Sequence, residues 1–316
     1  MPHPPRVVPA LPLRTAAALD QGVSVREIAG PLWQRLHHGV HVDASLDAED
    51  PDLRIAAVAA ILPAGGAITG WAALRLSGAD DLDGRTGAGG RTLLPVTVSV
   101  GRPGVIRPRS GVRLDRTPLS DSDVVEIDGI PVTTPVRSCV YLAMNSTVEM
   151  STAFIDVGAR VGVVDVAQVR ARISRVRGRQ GVVQARTVAS LIDGRSKSVP
   201  ESVFKVVWVL DAGLPHPLVN RLLVDRFGVV LGEPDLLDPE AAMVGEYDGS
   251  THRELDEHTS DNAREERFEN HNLVVVRATS LDLWPRRDLL VHRLREGHRR
   301  GLARDRSRDR WGLRTA

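Results

Sequence analysis

The 316-residue chain has one cysteine, Cys139, so it has no internal disulfide and no cysteine-rich zinc site. That suits a reducing cytoplasm, where Cys139 is expected to act as a small buried apolar residue. Lysine is nearly absent: Lys197 and Lys205 are the only two, and arginine supplies the remaining side-chain positive charge. The arginine bias, like the abundance of Ala, Gly and Val, fits a GC-rich genome. No window approaches the roughly 20 apolar residues of a membrane span. The proline-rich start, "MPHPPRVVPALPLRT", holds no apolar run of signal-peptide length. The expected location is therefore cytoplasmic, with no membrane partner.

Hydrophobic residues at 42% and charged residues at 26% describe an ordinary globular protein, and the length exceeds one typical domain. The net charge of +1 excludes no partner, but its distribution is uneven. From Arg286 to Arg314 eleven arginines face four acids, whereas acids dominate from Glu240 to Glu269, so an anionic partner could read the basic end. The stretch 301–316 reads as a solvated basic tail, or as a sequence-independent phosphate contact.

Short helices are expected at "LRTAAALDQG" and, capped by Ser24, at "VREIAG". "WQRLHHGVHVD" alternates like a strand pair or wing. His37, His38 and His41 fall on its polar positions with no acid or cysteine at ligand spacing, so no metal is assigned to them. Helical spacing recurs at "DLRIAAVAAIL" and, capped by Thr69, at "GWAALRLSG". "GADDLDGRTGAGGRT" has the composition of an exposed loop; it neither follows a strand nor opens a helix, so its glycines do not cradle a phosphate. Three strands follow, at "LLPVTVSVG", "GVRLDRTPL" and "DVVEIDGIPVT". Thr134 and Pro135 then open a helix, and a helical connector runs from Ser146 to Ile192. "DGRSKSVPES" breaks that pattern, and beyond it the elements read α-β-β-β-α-β.

Chemistry gathers in "GEPDLLDPEAAMVGEYDGSTH", residues 232–252. Strand residues two apart share a face, so Glu246 and Asp248 point the same way, and a turn at "DPEA" lays Asp235 on the neighbouring strand. Carboxylates a few ångströms apart repel by about 1 to 4 kcal/mol per pair. A hard divalent cation reverses that sign and supplies activated water for phosphodiester hydrolysis.

Order and motif together resemble the PD-(D/E)xK nuclease superfamily, and within it the DUF559 family, which is similar to very-short-patch repair endonucleases. Pro234-Asp235 stands at the "PD", Glu246-Tyr247-Asp248 at the "(D/E)xK", and "EYDGSTH" matches the DUF559 signature. Asp248 departs from the superfamily by standing where a lysine is usual. The resemblance implies Mg²⁺ or Mn²⁺ on Asp235 and Glu246, with Glu201 of the preceding helix assisting. It also implies His252 or Lys205 as acid or base, and Arg264, Arg267 and Arg277 facing nucleic acid in a "D…R…R…VVR" continuation that opens at Asp261.

The bland alternatives are specific. Ser198 and Glu201 fit a helix cap, Asp248-Gly249 a turn, His252 a solvated loop, and Arg264 with Arg267 surface ion pairs. Residues 1–195 resemble the AbiEi-type antitoxins, which bind operator DNA through a winged helix; too few residues separate Ile28 from Trp33 for a full recognition helix. The expected organisation is an α+β antitoxin-like region at 1–195, an α/β restriction-endonuclease-like domain at 196–300 and a basic tail at 301–316. The expected function is metal-dependent DNA endonuclease, the alternative a non-catalytic DNA-binding regulator on a nuclease scaffold, and a third reading a subunit acting with a neighbouring gene's product.

Overall fold

Caps and hydrophobic spacing place the first elements of the fold in a computed structural model, which describes residues 11–101, 109–249 and 266–314. These elements are β1 (Leu13–Arg14), α1 (Thr15–Asp20), α2 (Val25–Ile28), β2 (Trp33–His37), β3 (Val40–Asp43), α3 (Pro51–Ala59), β4 (Ala67–Thr69) and α4 (Trp71–Leu76). Ser24 and Glu27 form a reciprocal capping box on α2, and β2 and β3 form the expected hairpin. Thr69 does not cap α4. It ends β4, its hydroxyl accepts a hydrogen bond from Thr133 (2.7 Å), and Gly70 at φ 72° stands at the helix start.

Next come β5 (Arg85–Thr86), β6 (Thr92–Leu93), β7 (Val96–Ser99), β8 (Val112–Asp115), β9 (Val124–Ile127), β10 (Ile130–Thr133) and α5 (Pro135–Asn145). The glycine-rich stretch is not a solvated loop throughout. Ala79 and Leu82 are fully buried, and a Cβ on Gly84 would collide with the Trp71 ring. "DVVEIDGIPVT" is two strands, joined at Asp128-Gly129, both with positive φ (49° and 77°), the tight turn that suits an antiparallel hairpin. The five-stranded sheet runs β8-β7-β4-β10-β9.

The chain divides into two compact units, residues 1–85 with 92–142, and residues 86–91 with 143–316. The second unit holds α6 (Val148–Arg160), α7 (Val166–Arg175), α8 (Val182–Leu191) and α9 (Val199–Val206), the last continuing as a π turn over Val207–Asp211. It continues with β11 (Leu218–Val219), β12 (Leu223–Asp225), β13 (Val230–Gly232), β14 (Leu236–Asp238) and β15 (Met243–Asp248). After α10, described over residues 266–270, come β16 (Val274–Thr279), α11 (Ser280–Leu283), α12 (Arg287–Leu302) and β17 (Trp311–Leu313).

One sheet runs β11-β14-β15-β16, and a smaller one β13-β12-β17. The stretch "VVLGEPDLLD", one strand in the expected α-β-β-β-α-β order, is therefore two strands in different sheets; Pro234, between them, has no N–H to carry a ladder forward. The expected basic tail is also part of the fold through Arg314: β17 pairs antiparallel with β12, and Arg304 holds Asp309 at 2.8 Å.

The two faces of β15 have different duties. A Cβ on Gly245 would fall 2.8 Å from the Phe204 ring and 3.2 Å from Trp208, so that face carries α9. Gly297 brings α12 equally close to Met243 and Val276. The opposite face presents Val244, which packs with Leu223, Leu231, Leu237, Phe268 and Leu273. The architecture is mixed α and β, with several sheets. Among the described residues no helix is long and apolar enough to cross a membrane.

Candidate active site

Strand pairing sets the carboxylate-bearing residues of the central motif on one face of the sheet. β14 pairs antiparallel with β15, Leu236 opposite Gly245 and Leu237 opposite Val244, and one further step of that register sets Asp235 opposite Glu246. Directly opposite side chains have Cβ atoms about 4.5–5.5 Å apart. The Tyr247 N–H donates to Asp235 Oδ2 at 2.7 Å, which holds the Asp235 carboxylate against β15. Glu246 is 6% exposed. Asp248, two residues on, points to the same side.

β16 pairs parallel with β15, Glu246 beside Arg277 and Asp248 beside Thr279. The face that carries Asp235, Glu246 and Asp248 thus also carries Arg277. Below them on the same face lies the apolar cluster around Val244 and Phe268, which fixes the strands that present the polar groups. Burial, reinforced by the Asp248 carboxylate, pushes the neighbouring Tyr247 phenol above its ordinary value.

Glu201 is committed elsewhere. Its Oε1 accepts from Ser198 Oγ (2.9 Å), and its Oε2 accepts from Lys197 N–H (2.7 Å) and Asn220 Nδ2 (3.1 Å). Ser198 Oγ in turn accepts from the Glu201 N–H and caps α9. Asn220 N–H donates to the Asp235 carbonyl at 3.1 Å, so Asn220 links Glu201 to the backbone that carries Asp235.

Lys205 lies in a separate buried network. Its Nζ is 2.6 Å from Asp156 Oδ2 and 3.0 Å from Asp193 Oδ2, and the side chain is 2% exposed. Asp156 also accepts from Ser202 Oγ (3.1 Å) and from the N–H groups of Asp193 and Gly194 (2.8 Å each). Burial drives the Asp156 carboxyl upward while the Lys205 charge pulls it down, and burial prevails. Asp156 and Asp193 escaped the sequence reading; the turn "DGRS" after a helix was the one local signal at Asp193. Arg267 is exposed on α10, whose Phe268 is buried. His252, Asp261 and Arg264 lie outside the described residues.

Among the described residues, no group of three or more His, Cys, Asp or Glu side chains is placed to hold a metal ion. Mg²⁺ needs fewer, since it is commonly bound by one or two carboxylates together with waters and substrate phosphates. Asp235 and Glu246, hard oxygen donors from adjacent strands, fit that requirement.

No protein-family model matches the chain, and no solved structure matches it. Two curated relatives do, both described as uncharacterized proteins of Mycobacterium tuberculosis, from strains CDC 1551 / Oshkosh and ATCC 25618 / H37Rv. Each is 26% identical over 144 residues, which is 46% of this chain and 49% of the relative. The chain thus spans about half the length of the curated relatives it matches.

Proposed function

We propose that the second unit is a metal-dependent DNA endonuclease of the PD-(D/E)xK kind, related to the DUF559 proteins, with Mg²⁺ or Mn²⁺ held by Asp235 and Glu246. The observation that carries this reading is the β14–β15 register, which one step beyond Leu236–Gly245 sets Asp235 opposite Glu246, with the Tyr247 N–H donating to Asp235 Oδ2. The order of elements supports it: α9, the antiparallel β11-β14-β15 set, then β16 parallel to β15.

When bound, the cation supplies Lewis-acid polarisation of a phosphoryl oxygen. The chain's own groups divide the remaining work. Arg277, on the same face, offers a planar fork of donors suited to phosphate. Asp248, at the place of the usual lysine, is an acceptor that can orient an attacking water. Glu201 positions the Asp235 backbone through Asn220, and Lys205 serves the buried network.

Asp235→Asn keeps the acceptor for the Tyr247 N–H while removing a negative charge. It is expected to abolish nicking of supercoiled plasmid in Mg²⁺ or Mn²⁺ while leaving the melting profile cooperative. Cleavage by the variant at the parent's rate overturns the assignment.

A second reading, a DNA-binding regulator that does not cut, is favoured by Arg277, which already sets a positive charge beside Glu246. Gel shifts that persist in EDTA, with no cleavage in either metal, select it.

A further inference from the structure

The chain's Phe, Tyr and Trp residues all fall within the described region, and only Phe227 among them is exposed, at 75%. The other phenylalanines, Phe154, Phe204 and Phe268, are at most 1% exposed. Phe227 sits at the tip of the β12–β13 hairpin, where residues 226–230 are all exposed, Val229 at 61%.

The tip is held firmly. Asp225 Oδ1 accepts from the N–H groups of Phe227 and Val229, each at 2.8 Å. The Asp225 N–H donates to the Val229 carbonyl (2.9 Å), and Gly228 takes the left-handed conformation that closes the turn (φ 81°). An exposed apolar ring on a fixed turn has little conformational freedom left to lose on binding.

The surroundings are cationic. The Arg226 guanidinium lies 4.6 Å from the Phe227 ring centroid. Asp225 pairs with Trp311, and one further step of that register brings the exposed Arg310 beside Arg226. Residues 226–230 contain no carboxylate, and the adjoining one, Asp225, accepts from the Phe227 and Val229 N–H groups. A flat ring beside one arginine, with a second arginine next to the first, matches a ligand with a π-face and a phosphate within one repeating unit.

From Phe227 to Asp235 is eight residues, a span of at most about 29 Å. A strand with duplex-like stacking covers that in about eight nucleotides at 3.4 Å each, and an unstacked strand in fewer. A base in a duplex has both faces covered, and opening the stack has a cost, whereas an unpaired base offers its face freely.

We propose that the Arg226–Phe227 hairpin tip is a docking point for an unpaired nucleobase, so that the substrate class of the Asp235–Glu246 site is single-stranded nucleic acid or a strand with an unpaired stretch. This rests on the phosphodiester reading of that site. Phe227 supplies the stacking surface, and Arg226 with Arg310 neutralises the adjoining phosphates.

The test measures binding by the full chain, in EDTA, to fluorescein-labelled oligo-dT of about 20 nucleotides and to a blunt duplex of equal length. The parent is expected to prefer the single strand. Phe227→Ala weakens single-strand binding by roughly 5- to 150-fold and leaves duplex binding unchanged. Phe227→Trp retains it, and Arg226→Ala lowers the salt dependence of binding.

Equal single-strand affinity for parent and Phe227→Ala, or equal affinity of the parent for both DNAs, overturns the proposal. So does sedimentation showing that Phe227→Ala converts a self-associated parent to monomer without altering DNA binding. If the parent nicks plasmid in Mg²⁺ yet Phe227→Ala binds as the parent does, only this inference falls. If the parent binds neither DNA, the phosphodiester reading falls with it.

Discussion

Lys205 Nζ stands between the carboxylates of Asp156 and Asp193, inside a network closed by Ser202 and two backbone N–H groups. A buried ion pair is costly to break, because removing one partner strands the other charge away from water. Lys205→Met is therefore expected to destabilise the protein by about 3 to 5 kcal/mol, read from chemical denaturation, and the double variant with Asp156→Asn to recover part of that loss. Independent, additive effects of the two substitutions argue against the network. The sequence nominated Lys205 for acid–base work because it lies one helical turn after Glu201, and nothing local could correct that, since Asp156 is 49 residues away. Asp235 and Glu246 were legible for the opposite reason. Alternation along a strand and a short turn are local, so their shared face follows from spacing alone.

Between elements, Arg287 at the start of α12 reaches Glu149 on α6 at 2.9 Å and also pairs with Asp211 of the π turn. Glu149 is half-buried. Burial raises its carboxyl, but its backbone hydrogen bond and the Arg287 guanidinium lower it further, so the net value lies below the ordinary 4.5. With the folded value depressed, the stabilisation is present above the ordinary carboxylate range and disappears as pH falls through the folded value. Glu149→Gln is expected to cost about 0.5 to 1 kcal/mol near neutrality, the partly exposed geometry limiting it. Melts of parent and variant from pH 7 downward should converge once the pH has fallen below the ordinary carboxylate range, and a gap that stays constant throughout contradicts the assignment.

The hairpin of β2 and β3 was readable because its partners adjoin in sequence and alternate in polarity. β17 was not. Its partner β12 lies far upstream, and an arginine-rich composition gives no sign of an edge strand. Composition reports what a segment tolerates, and pairing depends on what it meets.

At the level of the whole molecule, the helices read as a connector belong to the same compact unit as the carboxylate-bearing sheet. A piece cut at the composition break, residues 196–316, loses Asp156, Asp193 and Glu149 together and leaves Lys205 buried without its acids. Such a piece is expected to show no cooperative thermal transition by circular dichroism. A sigmoidal melt matching that of the full chain sinks the expectation.

The parallel pairing of β15 with β16 has a consequence for how this chain could diversify. Antiparallel neighbours can be joined by a tight turn, but parallel ones need a longer return path, and here that path departs at Gly249, directly after Asp248. A change of length in a return path of this kind leaves every rung of the ladder in place. The β15–β16 ladder from Met243 to Thr279 can thus be kept while the connection between its strands varies in length.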